Sequence, residues 1–210
     1  MSFQIWLSFV AVVCVAVLSP GPAVLLAITH GTQHGPGRAV FPILGNVSGL
    51  AILITASSFG IGSVLSASSD WFFWMRLVGG LYLVFLGAKL LWSSRSNALA
   101  KLTDESHLKV HSVRWKTYFQ GIGVALSNPK ALLVIGALFP QFIDVTQPIN
   151  GQLMVLGATL IVMSFSVLMM YAALSKSIVK KSGINILRKI NKTTGALFVI
   201  LGLSLAVGSR

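Results

Sequence analysis

The sequence predicts an all-α integral membrane protein with six transmembrane helices, arranged as two inverted three-helix repeats. Three observations predict this fold class: the composition, the distribution of positive charge between loops, and a proline-containing break that occurs twice. Hydrophobic residues make up 55% of the 210 residues and charged residues only 10%, against about 25% charged residues in soluble domains. The mean hydropathy is +0.84. This composition excludes a soluble globular domain.

Six apolar runs are long enough to cross a bilayer, whose hydrocarbon core takes about 20 helical residues. They cover approximately residues 5–28, 39–65, 71–92, 118–142, 152–174 and 193–207. The first run has no basic residue before it and leads into further runs, so we interpret it as an uncleaved helix.

The lysine and arginine residues are concentrated in alternate loops. The basic loops contain Arg38, the cations between residues 89 and 116, and those between 176 and 192, whereas the other side holds only Arg76 and Arg210. By the positive-inside rule the basic loops are cytoplasmic, which places both termini on the outer side of the membrane. The lysine and arginine residues that produce the net charge of +12 thus set the orientation of the chain in the membrane and contact anionic lipid headgroups. The charge does not indicate a nucleic-acid partner, because no soluble basic and aromatic unit is present.

A duplicated half with three spans must lie upside down relative to its twin. The segment GLYLVFLG at 80–87 in the third run matches GALFVILG at 195–202 in the sixth. We therefore expect a first repeat at 1–92, a cytoplasmic linker at 93–116 and a second repeat at 117–210. Residues 176–192 are expected to form a basic hinge. His30 and His34 lie among glycines and predict a tight interfacial loop.

Two runs carry a break near the middle of the membrane. The breaks are Ser19-Pro20-Gly21-Pro22 in the first run and Ser127-Asn128-Pro129-Lys130 in the fourth. Serine and asparagine suit the N-cap position and proline the first helical position, so each break is expected to start a second half-helix. Such breaks are tolerated only where protein or a water-filled cavity satisfies the freed backbone groups. Paired breaks in two halves indicate a transport site.

The breaks offer binding groups of both polarities. Amides at a half-helix N-terminus suit a carboxylate. The prolines free carbonyls, those of Ala16 and Leu18 in the first break and Ala125 in the second, and such carbonyls suit an ammonium group. A small zwitterion such as an amino acid is the substrate that this pattern predicts. The alternative is that the breaks are structural kinks closed by neighbouring helices.

Lys130 is the charged residue predicted to lie deepest in the membrane. A lysine at the bilayer centre costs roughly 2.5 to 3.5 kcal/mol, which makes it a candidate for a functional site. It could hold a substrate carboxylate or exchange a proton; the alternative is a side chain that extends to the interface. Asn46 is a second candidate for the pathway, although Gly45 and Gly49 beside it form a Gly-x-x-x-Gly pattern typical of close helix contact.

Three motifs resemble the lysine-exporter (LysE) superfamily, especially its homoserine/threonine resistance (RhtB) branch. They are Ser19-Pro-Gly-Pro22, Asn128-Pro-Lys-Ala131 and Phe139-Pro-Gln-Phe-Ile-Asp144. The resemblance runs nearly end to end and implies a bacterial inner-membrane exporter of amino acids or their derivatives that works by proton antiport, so that both outer termini are periplasmic. We expect the transport itself to proceed by alternating access. The third motif adds Gln141 and Asp144 to the candidate substrate-binding residues. Asp144 could accept a proton or pair with an ammonium group, or it could be an ordinary solvated residue at a helix end.

One departure from the family pattern concerns the coupling ion. Some relatives carry an acidic residue directly after the glycine that matches Gly49, where this sequence has Leu50, and no Asp or Glu lies inside the six runs. The coupling ion therefore stays open. The runs contain no catalytic triad, paired carboxylates or metal-binding motif, so we expect no enzyme, cofactor or metal. A passive channel and a structural membrane subunit remain the alternatives, and a homo-oligomer is left open.

Overall fold

A computed structural model describes residues 1–65, 114–144, 146–179 and 181–207, with individual helical residues between 77 and 92. Residues 93–113 of the expected linker, which include His107 and His111, lie outside the described residues, as does Asp70. In the described part, the helices with defined bounds are α1 Phe3–Leu18, α2 Pro22–His34, α3 Pro36–Leu65, α4 Arg114–Leu126, α5 Pro129–Leu133, α6 Ile149–Ile178 and α7 Lys181–Val207. A π-helical turn, Val134–Leu138, and a 3₁₀ turn, Phe139–Phe142, extend α5.

Two of the described helices are each long and apolar enough to cross a membrane: the segment Pro36–Ser58 of α3, and α6. Two bent pairs pass the same test when taken together. Helices α1 and α2 meet at 56°, and α4 meets the segment Pro129–Phe142 at 55°. By length and composition, the described residues thus contain two spans, or up to four if each bent pair counts as one.

Two loop predictions are wrong because the helices are longer than the apolar runs. The expected basic hinge at 176–192 is largely helical, since α6 continues to Ile178 and α7 begins at Lys181. Lysine and arginine are good helix formers, so a run of basic residues does not interrupt a helix. His30 and His34 lie in the last turns of α2, which ends at His34 and has Gly35 as its C-cap residue. Gly35 has a φ of 78°, a conformation that glycine adopts at no steric cost.

The described residues include many exposed apolar side chains and several buried polar ones. Large apolar side chains cover the outside of the helices, and several are at least half exposed: Leu7, Ile52, Phe119, Met154, Val162 and Ile200. Polar residues are buried instead, among them Ser19, Asn46, Asn128 and Ser164. An apolar outer surface with polar groups turned inward suits a lipid environment.

Glycines bring α3 and α4 into close contact. A Cβ atom at Gly45 would overlap the backbone of Tyr118, and one at Gly49 would lie 2.6 Å from the Cβ of Ala125. The Tyr118 hydroxyl also donates a hydrogen bond of 2.9 Å to Ser48 Oγ. These contacts confirm that the Gly-x-x-x-Gly pattern of α3 serves helix packing.

The two matching octapeptides pack against each other. A Cβ at Gly87 would lie 2.6 Å from the carbonyl oxygen of Gly195, and one at Gly202 would lie 2.5 Å from that of Gly80. The Cβ at Gly87 would also contact Val199 of the second octapeptide. The Cβ at Gly202 would contact the equivalent valine of the first octapeptide. Exchanging the two segments thus reproduces the same set of contacts.

Two apolar clusters fill the interior. The Phe9 cluster lies toward the end of the bundle that carries Asp144, and it includes an edge-to-face contact of 5.5 Å between the rings of Phe9 and Phe139. Its other members include Val13, Leu138, Leu153 and Leu156. The Ile28 cluster lies toward the Gly35 end and includes Val24, Ala27, Ile28, Ile43, Leu168 and Ala172.

Candidate functional site

The first break separates α1 from α2. Helix α2 begins at Pro22, as expected for a proline at the first helical position, and Gly21 is its N-cap residue. The prediction that Ser19 caps this half-helix is wrong, because Pro20 and Gly21 separate Ser19 from the helix and Ser19 instead ends α1. Its side chain is fully buried, and its Oγ has no hydrogen-bond partner in the described part of the chain.

The second break follows the predicted local chemistry more closely. Pro129 begins α5, and Asn128 Oδ1 accepts a hydrogen bond of 3.1 Å from the Lys130 amide, so Asn128 is the N-cap residue. Ser127 is exposed and plays no part in the cap. The Asn128 amide donates to the Ala125 carbonyl at 3.2 Å, which pairs the oxygen that Pro129 frees.

Lys130 joins the two breaks. Its Nζ donates hydrogen bonds to the carbonyl oxygens of Ala16, at 2.9 Å, and of Ser19, at 2.7 Å. The Ala16 carbonyl is the one that Pro20 frees. A Cβ at Gly21 would lie 3.6 Å from Nζ, so the glycine leaves space beside the ammonium group. Neutral carbonyls hold the ammonium group but do not cancel its charge.

Tyr171 pairs the second carbonyl of the first break. Its hydroxyl donates to the Leu18 oxygen at 2.7 Å, the oxygen that Pro22 leaves without an intrahelical partner. The carbonyls of Ala16 and Leu18, predicted to suit a substrate ammonium group, thus bind two side chains of the protein. Sequence reasoning missed Tyr171, although a polar group within an apolar run was a signal for it.

A cavity of about 50 Å³ lies beside these contacts, between the two apolar clusters. Its polar lining residues are Asn46, Asn128, Lys130 and Ser164. Its apolar lining residues are Ala16, Val17, Ala23, Val24, Leu50, Ala131, Val134, Leu160 and Leu168. Acidic side chains are absent from this described lining. The volume is well below the roughly 300 to 1,000 Å³ of typical ligand pockets.

Asn46 contributes a free donor to the cavity. Its side chain is 3% exposed, and Nδ2 has no hydrogen-bond partner among the described residues. Buried amide groups in proteins are normally paired, so an unpaired one needs an explanation such as a ligand. Ser164 of α6 is a polar lining residue that sequence reasoning missed.

The other predicted site residues surround the breaks or lie away from the cavity. Pro20 is buried, whereas Pro22 and Pro129 are exposed on their outer sides. Gln141 and Asp144 are half-buried and are not among the cavity's described lining residues.

The Asp144 carboxylate is bonded within its own loop. It accepts hydrogen bonds from the Thr146 hydroxyl at 2.6 Å and from the Thr146 amide at 3.0 Å, and these lower the pKa of Asp144. Gln152 ties the same loop to α6 through hydrogen bonds of 2.8 Å to the Asp144 amide and carbonyl. The carboxylate therefore stays ionised at neutral pH.

An apolar outer surface, bent helix pairs and a buried cationic cavity define an integral membrane protein with a polar site inside its helical bundle. Comparison with known proteins narrows this class. The family described as LysE type translocator matches residues 14–209, and the chain belongs to this family. It is a membrane transporter of this family and not an enzyme, as the motifs predicted.

The relatives cover most of the chain. A homoserine/homoserine lactone efflux protein from Salmonella typhimurium is 33% identical over 207 residues, which is 98% of each chain. An uncharacterized membrane protein from Vibrio cholerae is 30% identical over 207 residues, again 98% of each chain. A leucine efflux protein from an Enterobacter species is 30% identical over 150 residues, 71% of this chain and 69% of the relative. No solved structure matches the chain.

Proposed function

We propose that this chain exports small neutral amino acids or their derivatives across the bacterial inner membrane. The observation that carries the proposal is the ammonium group of Lys130, which lies where the two breaks meet and beside a cavity with an otherwise uncharged described lining. The relatives named for efflux of homoserine and of leucine support the same substrate class.

The charge of the cavity favours neutral side chains over basic ones. A second cation about 4 Å from the Lys130 ammonium would be repelled by about 4 kcal/mol at an effective dielectric constant of about 20. The described lining provides no carboxylate to offset that repulsion. Amino acids with a basic side chain are therefore poor substrates, while apolar or hydroxylated side chains fit the alanine, valine and leucine lining.

The proposed architecture has six spans in two inverted repeats, 1–92 and 117–210, joined by the linker 93–116. Helices α1 and α2 form the broken first span, and α4 and α5 the broken fourth. The exchangeable glycine contacts of Gly80 with Gly202 and of Gly87 with Gly195 support a two-fold relation between the halves. The contact of Lys130 with the first break supports the placement of both breaks at one site.

The two apolar clusters suggest alternating access. The cavity shares Ala16 and Leu160 with the Phe9 cluster, and Val24 and Leu168 with the Ile28 cluster, so each cluster closes one side of it. A volume of about 50 Å³ holds a few water molecules but not an amino acid. Substrate therefore enters only when one cluster opens, and leaves when the other does.

The charge distribution of the loops supports an inner-membrane orientation with both termini periplasmic. Proton antiport is the proposed energy source. Lys130 is the ionisable side chain in the described cavity lining, so it is the proposed place where proton and substrate movement are coupled.

Uptake into everted membrane vesicles tests this function. Vesicles containing the chain, and vesicles without it, are given labelled leucine, homoserine and lysine with and without an acid lumen. The proposal expects leucine or homoserine to accumulate above the outside concentration, lysine not to accumulate, and accumulation to stop when the pH gradient collapses. Equilibration that ignores the gradient would indicate a passive channel. Vesicles that match the control for all three compounds would indicate a structural subunit.

A further inference from the structure

We infer that the cavity recognises the carboxyl end of its substrate, through the Asn46 amide and the Lys130 ammonium group, and does not require the substrate's own ammonium group. The inference deepens the proposed function and relies on it only for the class of ligand. It predicts that a carboxylic acid without an amino group binds, and that the corresponding amine without a carboxyl group does not.

The first observation is the unpaired donor at Asn46. Asn46 lies between Gly45 and Gly49, the two glycines at which α3 packs against α4. It is one of the residues that line the cavity. The side chain is 3% exposed, and its Nδ2 has no described protein partner. A ligand oxygen that accepts a hydrogen bond would satisfy this group, and a ligand ammonium group would not.

The second observation is the way in which Lys130 is held. An ammonium group has three N–H donors. Two of them bond to the Ala16 and Ser19 carbonyls, which leaves one N–H and a full positive charge at the edge of the cavity. The carbonyls fix the position of this charge before any ligand arrives, so little ordering is required on binding.

The third observation is that the carbonyls freed at the first break already accept hydrogen bonds from side chains of the protein. Lys130 binds the carbonyls of Ala16 and Ser19, Tyr171 binds that of Leu18, and Asn128 Oδ1 accepts from the Lys130 amide. The Ser164 hydroxyl can donate or accept. A substrate ammonium group would therefore share these carbonyls with Lys130 or Tyr171, close to a positive charge that no described carboxylate of the lining offsets.

These groups define how a carboxylate would bind. One oxygen would accept from Asn46 Nδ2 and the other from Lys130 Nζ, while the apolar lining would contact the side chain. A hydrogen bond to a charged group typically contributes about tenfold or more to affinity. Removal of the carboxylate should therefore weaken binding more than removal of the amino group.

Three probes with the same isobutyl side chain separate the two ends of the substrate. They are leucine, 2-hydroxy-4-methylpentanoate, in which a hydroxyl replaces the ammonium group, and 3-methylbutylamine, which lacks the carboxylate. Binding to the purified full chain in detergent is measured for each by calorimetry or ligand-induced thermal stabilisation. We expect the hydroxy acid to bind within about tenfold of leucine, and the amine at least about tenfold more weakly than the hydroxy acid. An amine that binds as well as the hydroxy acid, or a hydroxy acid that does not bind, would overturn the inference.

Variants of α3 test whether the hydroxy acid binds in the cavity. Asn46→Asp keeps the shape but replaces the donor by an acceptor, and it should weaken hydroxy acid binding at least about tenfold. Ser48→Ala is the matched control, because Ser48 bonds to Tyr118 and is not among the described lining residues. Unchanged hydroxy acid binding by a folded Asn46→Asp variant would refute the role of Asn46. Should that variant not fold, the comparison of probes on the unmodified chain still decides the question.

These measurements can refute the proposed export and the proposed carboxyl recognition independently of each other. Binding of the hydroxy acid without leucine transport in proteoliposomes would refute export while supporting carboxyl recognition. Leucine transport combined with binding of the amine and not of the hydroxy acid would refute carboxyl recognition and leave export standing.

Discussion

The hydrogen bond from Tyr171 to the first break provides a sharp test of how the break is stabilised. The change is Tyr171→Phe, which removes only the hydroxyl. The ring is 3% exposed and stays in place, so no large cavity forms. What is lost is the 2.7 Å bond to the Leu18 carbonyl.

The structure sets the size of the effect. Pro22 has no N–H and cannot pair the Leu18 carbonyl, so the oxygen is left buried and unsatisfied at a cost of about 1 to 3 kcal/mol. Tyr118→Phe is the matched control, since it also removes one tyrosine hydroxyl bond, of 2.9 Å to Ser48. The Ser48 hydroxyl can rotate and bond to a carbonyl of its own helix, so we expect a loss below about 1 kcal/mol.

Thermal unfolding of both purified variants in the same detergent measures the difference. Each kcal/mol lowers the midpoint by about 2 to 4 °C in a domain of about 200 residues. We expect Tyr171→Phe to lower it clearly more than Tyr118→Phe. An equal or smaller shift for Tyr171→Phe would refute the reasoning that this hydroxyl satisfies the proline-freed carbonyl.

Three further predictions address the charge, the helix contact and the loop carboxylate. Lys130→Met should abolish export in everted vesicles without reducing membrane insertion, whereas Lys116→Met, at an exposed position, should export normally; normal efflux from Lys130→Met would remove that residue from the site. Gly45→Ala should cost about 1 to 3 kcal/mol or prevent folding, because its Cβ overlaps the α4 backbone. Gly123→Ala, with nothing within 4 Å, should be neutral or stabilising by about 0.5 to 1 kcal/mol in thermal unfolding. The lowered pKa of Asp144 means that its stabilising contribution is present above its ordinary pKa and disappears only as the pH falls through the lowered value. Asp144→Asn should therefore leave the shape of the export profile between about pH 5.5 and 8 unchanged, and a shifted profile would contradict this.

The local chemistry of the breaks could be predicted because it depends on neighbours in the sequence. Pro22 and Pro129 start helices since a proline lacks the N–H that the first turn leaves unpaired in any case, and Asn128 caps α5 with its own side chain. The Ser19 cap was wrong for a reason of the same kind, because Pro20 and Gly21 lie between it and α2.

The partners of the freed groups could not be predicted, because distant segments supply them. The pairing of Lys130 with Ala16, and of Tyr171 with Leu18, depends on how α5 and α6 pack against the first break. Periodicity locates an apolar run but does not specify which of its polar side chains faces which carbonyl. The same limit applies to Ser164. The basic residues after α6 were misread because charge identifies a solvated segment without excluding a helix.

Thiol labelling of the cavity tests most directly whether it is the substrate site. Cys14, the one cysteine of the chain, is first replaced by serine, and Ser164→Cys then places a thiol in the cavity lining. Ser166→Cys, at an exposed position on α6, is the control. In vesicles that export leucine, we predict that leucine slows the reaction of N-ethylmaleimide at position 164 and leaves the rate at position 166 unchanged. Active export with no effect of leucine at position 164 would contradict the claim that substrate passes through this cavity.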